Sequence, residues 1–189
     1  MESTTTTQIE PPVRKKLFSN GVFGVMIFVY TEIMLFMGFI SAYLVIRASN
    51  PLWAIPPDVR LPIYATGFNT LLLLISGFLL LMARRAENNE KYQKLVFASS
   101  VLGFFFVVLQ GFEWISLIEA GLSMYTGIFG ALFFMIIGFH AIHAFSGALL
   151  LAYTYTFKKV KNLEYLRAVQ IYWFFVVGIW PILYYLVYF

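Results

Sequence analysis

The stretch GVFGVMIFVYTEIMLFMGFISAYLVI, residues 21–46, contains one charged residue, Glu32, and it decides the fold class. A helix that crosses the hydrocarbon core of a bilayer needs about 20 mostly apolar residues. The stretch is longer than the roughly 7–15 apolar residues of a signal peptide, and no small-residue cleavage site closes it. We therefore predict a transmembrane helix over residues 21–47.

Four further apolar stretches follow, separated by loops that contain proline or clustered charges. They predict helices over residues 61–84, 94–118, 127–157 and 168–188, with a turn at residues 120–126. The polar residues 1–20 are predicted to form a disordered tail. The expected fold is an all-α integral membrane protein, with one bundle of five transmembrane helices over residues 21–189.

The composition agrees with a membrane location. Of the 189 residues, 61% are hydrophobic and 12% are charged, whereas an ordinary soluble domain is about 45–50% apolar and about 25% charged. The basic residues lie between apolar spans, so the net charge of +4 does not indicate nucleic-acid binding. The chain has no cysteine, which excludes disulfides, thiolate metal sites and a catalytic cysteine.

The distribution of basic residues predicts the orientation of the bundle. Of the 13 Lys and Arg residues, eleven lie in the N-terminal tail and in the second and fourth loops, while Arg47 and Arg60 lie in the first. Cytoplasmic loops have an excess of Lys and Arg, so we predict a cytoplasmic N-terminus and an external C-terminus. Arg47, Trp53 and Trp114 then lie near the outer interface as candidate contacts for lipid headgroups.

Glu32 is the most unusual residue within a predicted span. It lies roughly 16 Å into its helix at 1.5 Å per residue, and a carboxylate there costs at least about 2.5–3.5 kcal/mol. Such a group pairs, faces water or stays protonated. Two interpretations stay open: a carboxyl that supports proton uptake or contacts lipid, and a protonated Glu that hydrogen-bonds between helices.

Other polar residues lie inside the predicted spans. Gln110 and Glu113 are one turn apart and predict a polar patch in the third helix. His140 and His143 share a face of the fourth helix, where they could bind haem or a metal, or hydrogen-bond to neighbouring helices. Because two ligands on one helix do not complete a site, we predict no metal. Asn69 is predicted to form an ordinary interhelical hydrogen bond.

The last span is rich in aromatic residues, with YWFF at 172–175, YY at 184–185 and YF at 188–189. Trp and Tyr are enriched at membrane interfaces. We predict that these rings face lipid and the interface; a quinone pocket is the alternative.

Several motifs follow one another along the predicted helices. They read TEIMLF at 31–36 with SAY at 41–43, NTLLLL at 69–74, QGFEW at 110–114, GIFG at 127–130 and GFHAIH at 138–143. Together they resemble subunit III of the haem-copper (cytochrome c) oxidases, in its five-helix bacterial form. The resemblance covers nearly the whole chain, from residue 21 to residue 180.

The resemblance implies a non-catalytic subunit of a proton-pumping terminal oxidase in the bacterial inner membrane. Such a subunit has no redox centre. It packs beside catalytic subunit I, which holds the haems and copper, and it is accompanied by subunit II. It binds phospholipid and supports proton uptake. Glu32 matches the family's buried, carbodiimide-reactive carboxyl, while Glu113, His140 and His143 match polar interior positions.

One segment departs from the family pattern. The family's last helix usually begins Tyr-Trp-His, with an Asp three residues after the His, whereas this chain has Phe174 and Val177 at those positions. The departure favours a divergent setting, such as an oxidase within a larger respiratory supercomplex.

Two other functions remain as alternatives at this point. The first is a subunit-III-like accessory protein of nitric oxide reductase, which a neighbouring gene for the catalytic subunit would distinguish. The second is a stand-alone small transporter or proton channel that uses Glu32. Stability and activity of the chain expressed alone would support that second alternative.

Overall fold

The computed structural model describes residues 19–51, 53, 59–86, 88–156 and 163–189. In this part of the chain the regular structure is entirely helical, with α1 at Asn20–Ser49, α2 at Ile63–Ala83, α3 at Asn89–Glu119, α4 at Ile128–Thr156 and α5 at Leu163–Tyr188. All five helices are long and apolar enough to cross a membrane. The predicted five-helix membrane bundle is therefore confirmed. Residues 1–18 of the predicted tail lie outside the described residues.

Two helices begin earlier than the hydropathy pattern indicated. Helix α3 begins at Asn89 rather than 94, because the Asn88 side chain caps it by accepting a hydrogen bond of 2.9 Å from the backbone N of Glu90. Helix α5 begins at Leu163 rather than 168. Both added segments contain charged residues, so the apolar pattern marks the section within lipid and not the whole helix.

The helices differ in how deeply they are embedded in the bundle. Helix α3 packs against α2 and α4, and α5 packs against α1, α2 and α4. Helix α1 is attached mainly through α5, and 11% of the residues in its apolar section are buried, against 56% in α5. One broad face of α1 is therefore open to lipid or to a partner.

Trp173 of α5 is the centre of the packing. It is fully buried, and its ring lies between two glycines, Gly103 of α3 and Gly147 of α4. A Cβ atom added at either glycine would approach a ring carbon to 2.6 Å. The small residues let the helix backbones approach the ring closely, which stabilises helix association in lipid.

Serine hydroxyls connect the neighbouring helices at the same level. Ser76 Oγ donates to the carbonyl O of Ser99 at 2.7 Å, and Ser99 Oγ donates to the carbonyl O of Ser76 at 2.9 Å. Ser100 Oγ donates to the carbonyl O of Ala148 at 3.0 Å. Each polar group thus has a partner in a region without water, as the membrane interior requires.

The prediction that the aromatic residues of the last span face lipid was wrong for several of them. Tyr172, Trp173, Trp180 and Tyr188 are buried inside the bundle. Trp180 Nε1 donates a hydrogen bond of 2.9 Å to Thr70 Oγ1. The rings point inward because the facing helices offer small residues for close packing and hydroxyl groups for the indole N–H groups.

Candidate functional site

Glu32 of α1 and His143 of α4 form a pair between their helices. Glu32 Oε2 and His143 Nε2 are 2.9 Å apart, and the two side chains are 15% and 11% exposed. His143 Nδ1 lies 2.6 Å from the carbonyl O of Phe139. Because a carbonyl oxygen only accepts hydrogen bonds, Nδ1 must hold a proton.

This assignment limits the charge of the pair to two arrangements. Either a protonated Glu32 donates to neutral His143 Nε2, or a protonated imidazole donates to the Glu32 carboxylate. Both arrangements have no net charge and hold one proton between Oε2 and Nε2. The pair therefore avoids an isolated charge in lipid.

Aromatic rings surround the pair. Phe36 meets the His143 ring edge-on with centroids 5.5 Å apart, and Phe175 does so at 6.2 Å. Tyr172 lies at 6.3 Å, and its hydroxyl is 2.7 Å from Ser146 Oγ. The rings exclude water and lower the local dielectric, which strengthens the interaction between the two partners.

A cavity of about 590 Å³ lies beside this cluster, between α1, α4 and α5. Its wall is mostly apolar and includes Val25, Leu150 and Val169, together with the hydroxyl-bearing residues Ser146 and Tyr172. It lies towards the end of the bundle where α1 and α5 begin. Its size and lining suit a hydrocarbon chain.

His140 does not join the hydrogen-bonded pair of Glu32 and His143. The two histidines lie one turn apart on α4, and both rings contact Phe36, with centroids 6.4 and 5.5 Å away. His140 is fully buried, stacks on Trp180 with centroids 4.7 Å apart, and has no hydrogen-bond partner on either ring nitrogen among the described residues. The expected interhelical hydrogen bond is therefore found for His143 and not for His140, which faces aromatic rings without acceptor atoms.

Within the described part of the chain, no three His, Cys, Asp or Glu residues are grouped to hold a metal.

A second polar cluster joins α2, α3 and α5. Thr66 Oγ1 donates to Glu113 Oε2 at 2.6 Å, and Gln110 Nε2 donates to the same oxygen at 3.1 Å. Gln110 Nε2 also lies 3.3 Å from Tyr188 Oη, and Asn69 Nδ2 donates to Gln110 Oε1 at 3.3 Å. The structure thus joins Asn69 to Gln110 and Glu113, which the sequence indicated as one polar patch, and adds Thr66 and Tyr188. Those two had no distinguishing signal, because single Thr and Tyr residues are common in transmembrane helices.

The candidate headgroup residues have different environments. Arg47 is exposed in the last turn of α1. Trp53 is half-buried and packs edge-on against Phe129 at 5.5 Å. Trp114 packs edge-on against Phe134 at 5.6 Å, and its indole N–H is buried without a partner among the described residues. The indole N–H of Trp114 is therefore less available to a headgroup than Arg47 is.

Val177 occupies an apolar contact. It is 8% exposed, and a Cβ atom added at Gly77 of α2 would meet Val177 Cγ1 at 2.9 Å. Phe174 is half-buried. Val177 therefore contributes to the α2–α5 packing and leaves no space beside Gly77 for a larger side chain.

Comparison with known proteins identifies the family. The family model described as cytochrome c oxidase subunit III matches residues 1–189. The chain is 31% identical over 177 residues to the cytochrome c oxidase subunit 3 of Synechocystis sp., covering 88% of this chain and 74% of that protein. It is 28% identical over 177 residues to the probable cytochrome c oxidase subunit 3 of Mycobacterium leprae, with 88% and 86% covered.

A relative from a vertebrate is similar to the same extent. The cytochrome c oxidase subunit 3 of Salmo salar is 30% identical over an alignment of 203 residues, which covers 99% of this chain and 74% of that protein. The chain therefore belongs to the cytochrome c oxidase subunit III family and is a subunit of a haem-copper oxidase.

Proposed function

We propose that this chain is the non-catalytic subunit III of a proton-pumping terminal oxidase in a bacterial inner membrane. It packs beside catalytic subunit I and accompanies subunit II, and the oxidase belongs to a larger respiratory supercomplex. The haems and copper are held by the partner subunits. Family membership and the bacterial relatives support this proposal.

The observation on which the proposed role depends most is the contact between Glu32 and His143. The pair has no net charge in either of its two arrangements, so it holds a proton within the span without an isolated charge in lipid. We propose that the pair supports proton uptake by the complex. The adjacent cavity reaches Tyr172, whose hydroxyl lies 3.3 Å from the carbonyl O of His143.

Phospholipid binding is the second part of the proposal. The open face of α1 and the cavity between α1, α4 and α5 provide apolar surface for acyl chains. Arg47, exposed where α1 ends, is suited to a phosphate group. Lipid bound along α1 would hold a weakly attached helix in place, and so stabilise the contact with the catalytic subunit.

We further propose that the N-terminus is cytoplasmic. The cavity near the Glu32–His143 pair then lies on the side from which an oxidase takes up protons. This orientation rests on the excess of Lys and Arg in the tail and in the second and fourth loops.

The first test is affinity purification of the tagged chain from its native membrane in mild detergent. We expect the chain to bring with it a large multi-helix catalytic subunit, identified by mass spectrometry, and a haem spectrum in the visible range. A folded but colourless chain purified alone would contradict the proposal. A nitric oxide reductase subunit in its place would leave the family assignment intact and replace the partner.

A further inference from the structure

A second cavity, of about 380 Å³, lies at the other end of the bundle, where α2 begins and α3 ends. Its lining combines two opposite charges, Glu113 and Arg60, with two exposed aromatic side chains, Phe68 and Phe112. Ser116 and several apolar residues complete the wall. An anionic and a cationic group in one lipid-facing cavity indicate a ligand that itself has both charges.

Glu113 is held in this cavity from the side of the bundle. Its Oε2 accepts hydrogen bonds from both Thr66 and Gln110, which come from different helices. A carboxylate has room for about four hydrogen bonds on its two oxygens, so these two donors leave Glu113 able to accept others. The fixed position of the carboxyl group lowers the entropy lost when a cationic ligand binds.

The depth of the cavity matches the headgroup region of a bilayer. Helix α3 ends at Glu119, so Glu113 is about 9 Å from that end at 1.5 Å per residue. The hydrocarbon core is about 30 Å thick within a total of about 40–45 Å. The 31 residues of α3 span about that total, which puts Glu113 just beneath the interface and Arg60, before α2, nearer to water.

We propose that this cavity binds the headgroup of phosphatidylethanolamine, with the ammonium group at Glu113 and the phosphate at Arg60. A primary ammonium donates charge-assisted hydrogen bonds to a carboxylate, and a guanidinium donates a forked pair to a phosphate. Phe68 and Phe112 would then contact the glycerol and the first part of the acyl chains. An anionic lipid without an amine would offer no donor to the remaining acceptor sites of Glu113.

This site is separate from the apolar cavity beside Glu32 and from the open face of α1. The inference rests on the chain lying in a membrane and does not require the oxidase partner. Its failure is therefore distinguishable from failure of the proposed function, because co-purification of a haem protein and selective lipid retention are measured independently.

The first experiment compares lipids on the unaltered full-length chain. The chain is placed in nanodiscs that contain equal amounts of phosphatidylethanolamine, phosphatidylcholine and phosphatidylglycerol, and the retained lipid is measured by native mass spectrometry. We expect phosphatidylethanolamine to be retained about tenfold more than phosphatidylglycerol, as for one charge-assisted contact. Equal retention of these two would overturn the proposal. Phosphatidylcholine has no N–H group, so retention of phosphatidylcholine equal to that of phosphatidylethanolamine would overturn the proposed hydrogen bonds from the ammonium group to Glu113.

Two variants test the two charged contacts, and two more are controls. Glu113→Gln keeps the shape of the side chain and can still accept from Thr66, and Arg60→Gln removes the phosphate contact. The matched controls are Glu119→Gln, which removes an exposed charge from the end of α3, and Arg84→Gln at the opposite end of the bundle. We expect about a tenfold loss of phosphatidylethanolamine selectivity in the first two variants and none in the controls. Loss of the same size in Glu119→Gln would overturn the site.

A direct Arg60–Glu113 ion pair is the main competing explanation. In that case Arg60→Gln would free the carboxylate and raise phosphatidylethanolamine retention, contrary to our expectation.

Thermal unfolding of each variant checks that the bundle remains folded. If Glu113→Gln does not fold, Ala65→Phe tests the site instead, because its ring fills the cavity from the exposed wall without changing a charge. Unchanged lipid selectivity in folded Ala65→Phe would refute the proposed position of the headgroup.

Discussion

Trp173 Nε1 of α5 donates a hydrogen bond of 3.1 Å to Ser76 Oγ of α2, and this contact fixes the depth at which the last helix enters the bundle. Ser76 is itself bonded to Ser99 of α3. A single side chain of α5 is thereby connected to α2 and α3 by polar contacts and to α4 by packing against Gly147. The stability of the bundle should therefore depend strongly on the space around this ring.

Gly103→Ala and Gly147→Ala should each destabilise the bundle, by about 1–3 kcal/mol, because the new methyl group overlaps the Trp173 ring. Thermal unfolding of the complex that purifies with the tagged chain in detergent measures the effect. The matched control is Gly111→Ala, also on α3, where an added Cβ meets nothing within 4 Å. Similar unfolding temperatures for Gly103→Ala and Gly111→Ala would show that the ring is not held between the glycines.

Replacement of Glu32 should separate the structural and the protonic roles of its pair with His143. Glu32→Gln can still hydrogen-bond to His143 and should assemble almost normally, but its amide cannot release a proton, so activity should decline during prolonged turnover. Glu32→Ala leaves His143 Nε2 unpaired, and we expect a loss of about 1–3 kcal/mol in stability and weaker retention of lipid.

Oxygen consumption of the purified complex over many cycles, together with subunit stoichiometry, measures both effects. Glu90→Gln is a suitable control, because Glu90 forms an exposed ion pair with Lys94 at 2.6 Å near the start of α3. If both Glu32 variants assemble and turn over like the parent chain, the carboxyl group has no functional role.

Val177→Asp tests whether the departure from the family's usual residue at this position suits the packing of this bundle. The carboxyl group would be buried against Gly77, and a charge within a span costs at least about 2.5–3.5 kcal/mol. Val177→Thr is a matched control, because its hydroxyl group can bond to the backbone carbonyl one turn before it. We expect a lower unfolding temperature for the Asp variant than for the Thr variant. A higher yield of oxidase complex with Asp would mean that a neighbouring subunit supplies a partner for it.

Cysteine labelling tests the proposed orientation directly, because the chain contains no cysteine of its own. Tyr125→Cys introduces one thiol at a residue that is 97% exposed between α3 and α4, and Asn88→Cys introduces one at the opposite end of the bundle. In intact spheroplasts, a maleimide that does not cross membranes should label position 125 and not position 88. The reverse pattern would place the N-terminus outside.

Hydropathy was sufficient to predict the number of helices but not all of their ends. The apolar runs identify the sections that lie in lipid, and the capped start of α3 at Asn89 lies beyond such a run. Glu32 and His143 were each notable as polar residues in a span. Their pairing is a tertiary contact over 111 positions, and no local pattern encodes it.

The aromatic residues of α5 show a second reason why sequence alone does not predict the packing. Tryptophan and tyrosine occur both at membrane interfaces and inside helix bundles, so their number alone does not decide their direction. The decision comes from the opposite surface, where Gly103 and Gly147 leave room for Trp173. Such complementarity between distant residues can be read only once the helices are placed together.

The position of Trp173 near the end of the chain has a consequence for biosynthesis. Helices α2, α3 and α4 leave the ribosome before α5, and until then the glycine-lined groove between them has only lipid to fill it. Insertion of the last helix therefore completes the bundle, and it also brings in most of the contacts that retain α1. A nascent chain that stops before residue 173 would leave the small residues Gly103 and Gly147 facing the bilayer, while the serine bonds between α2, α3 and α4 could already form.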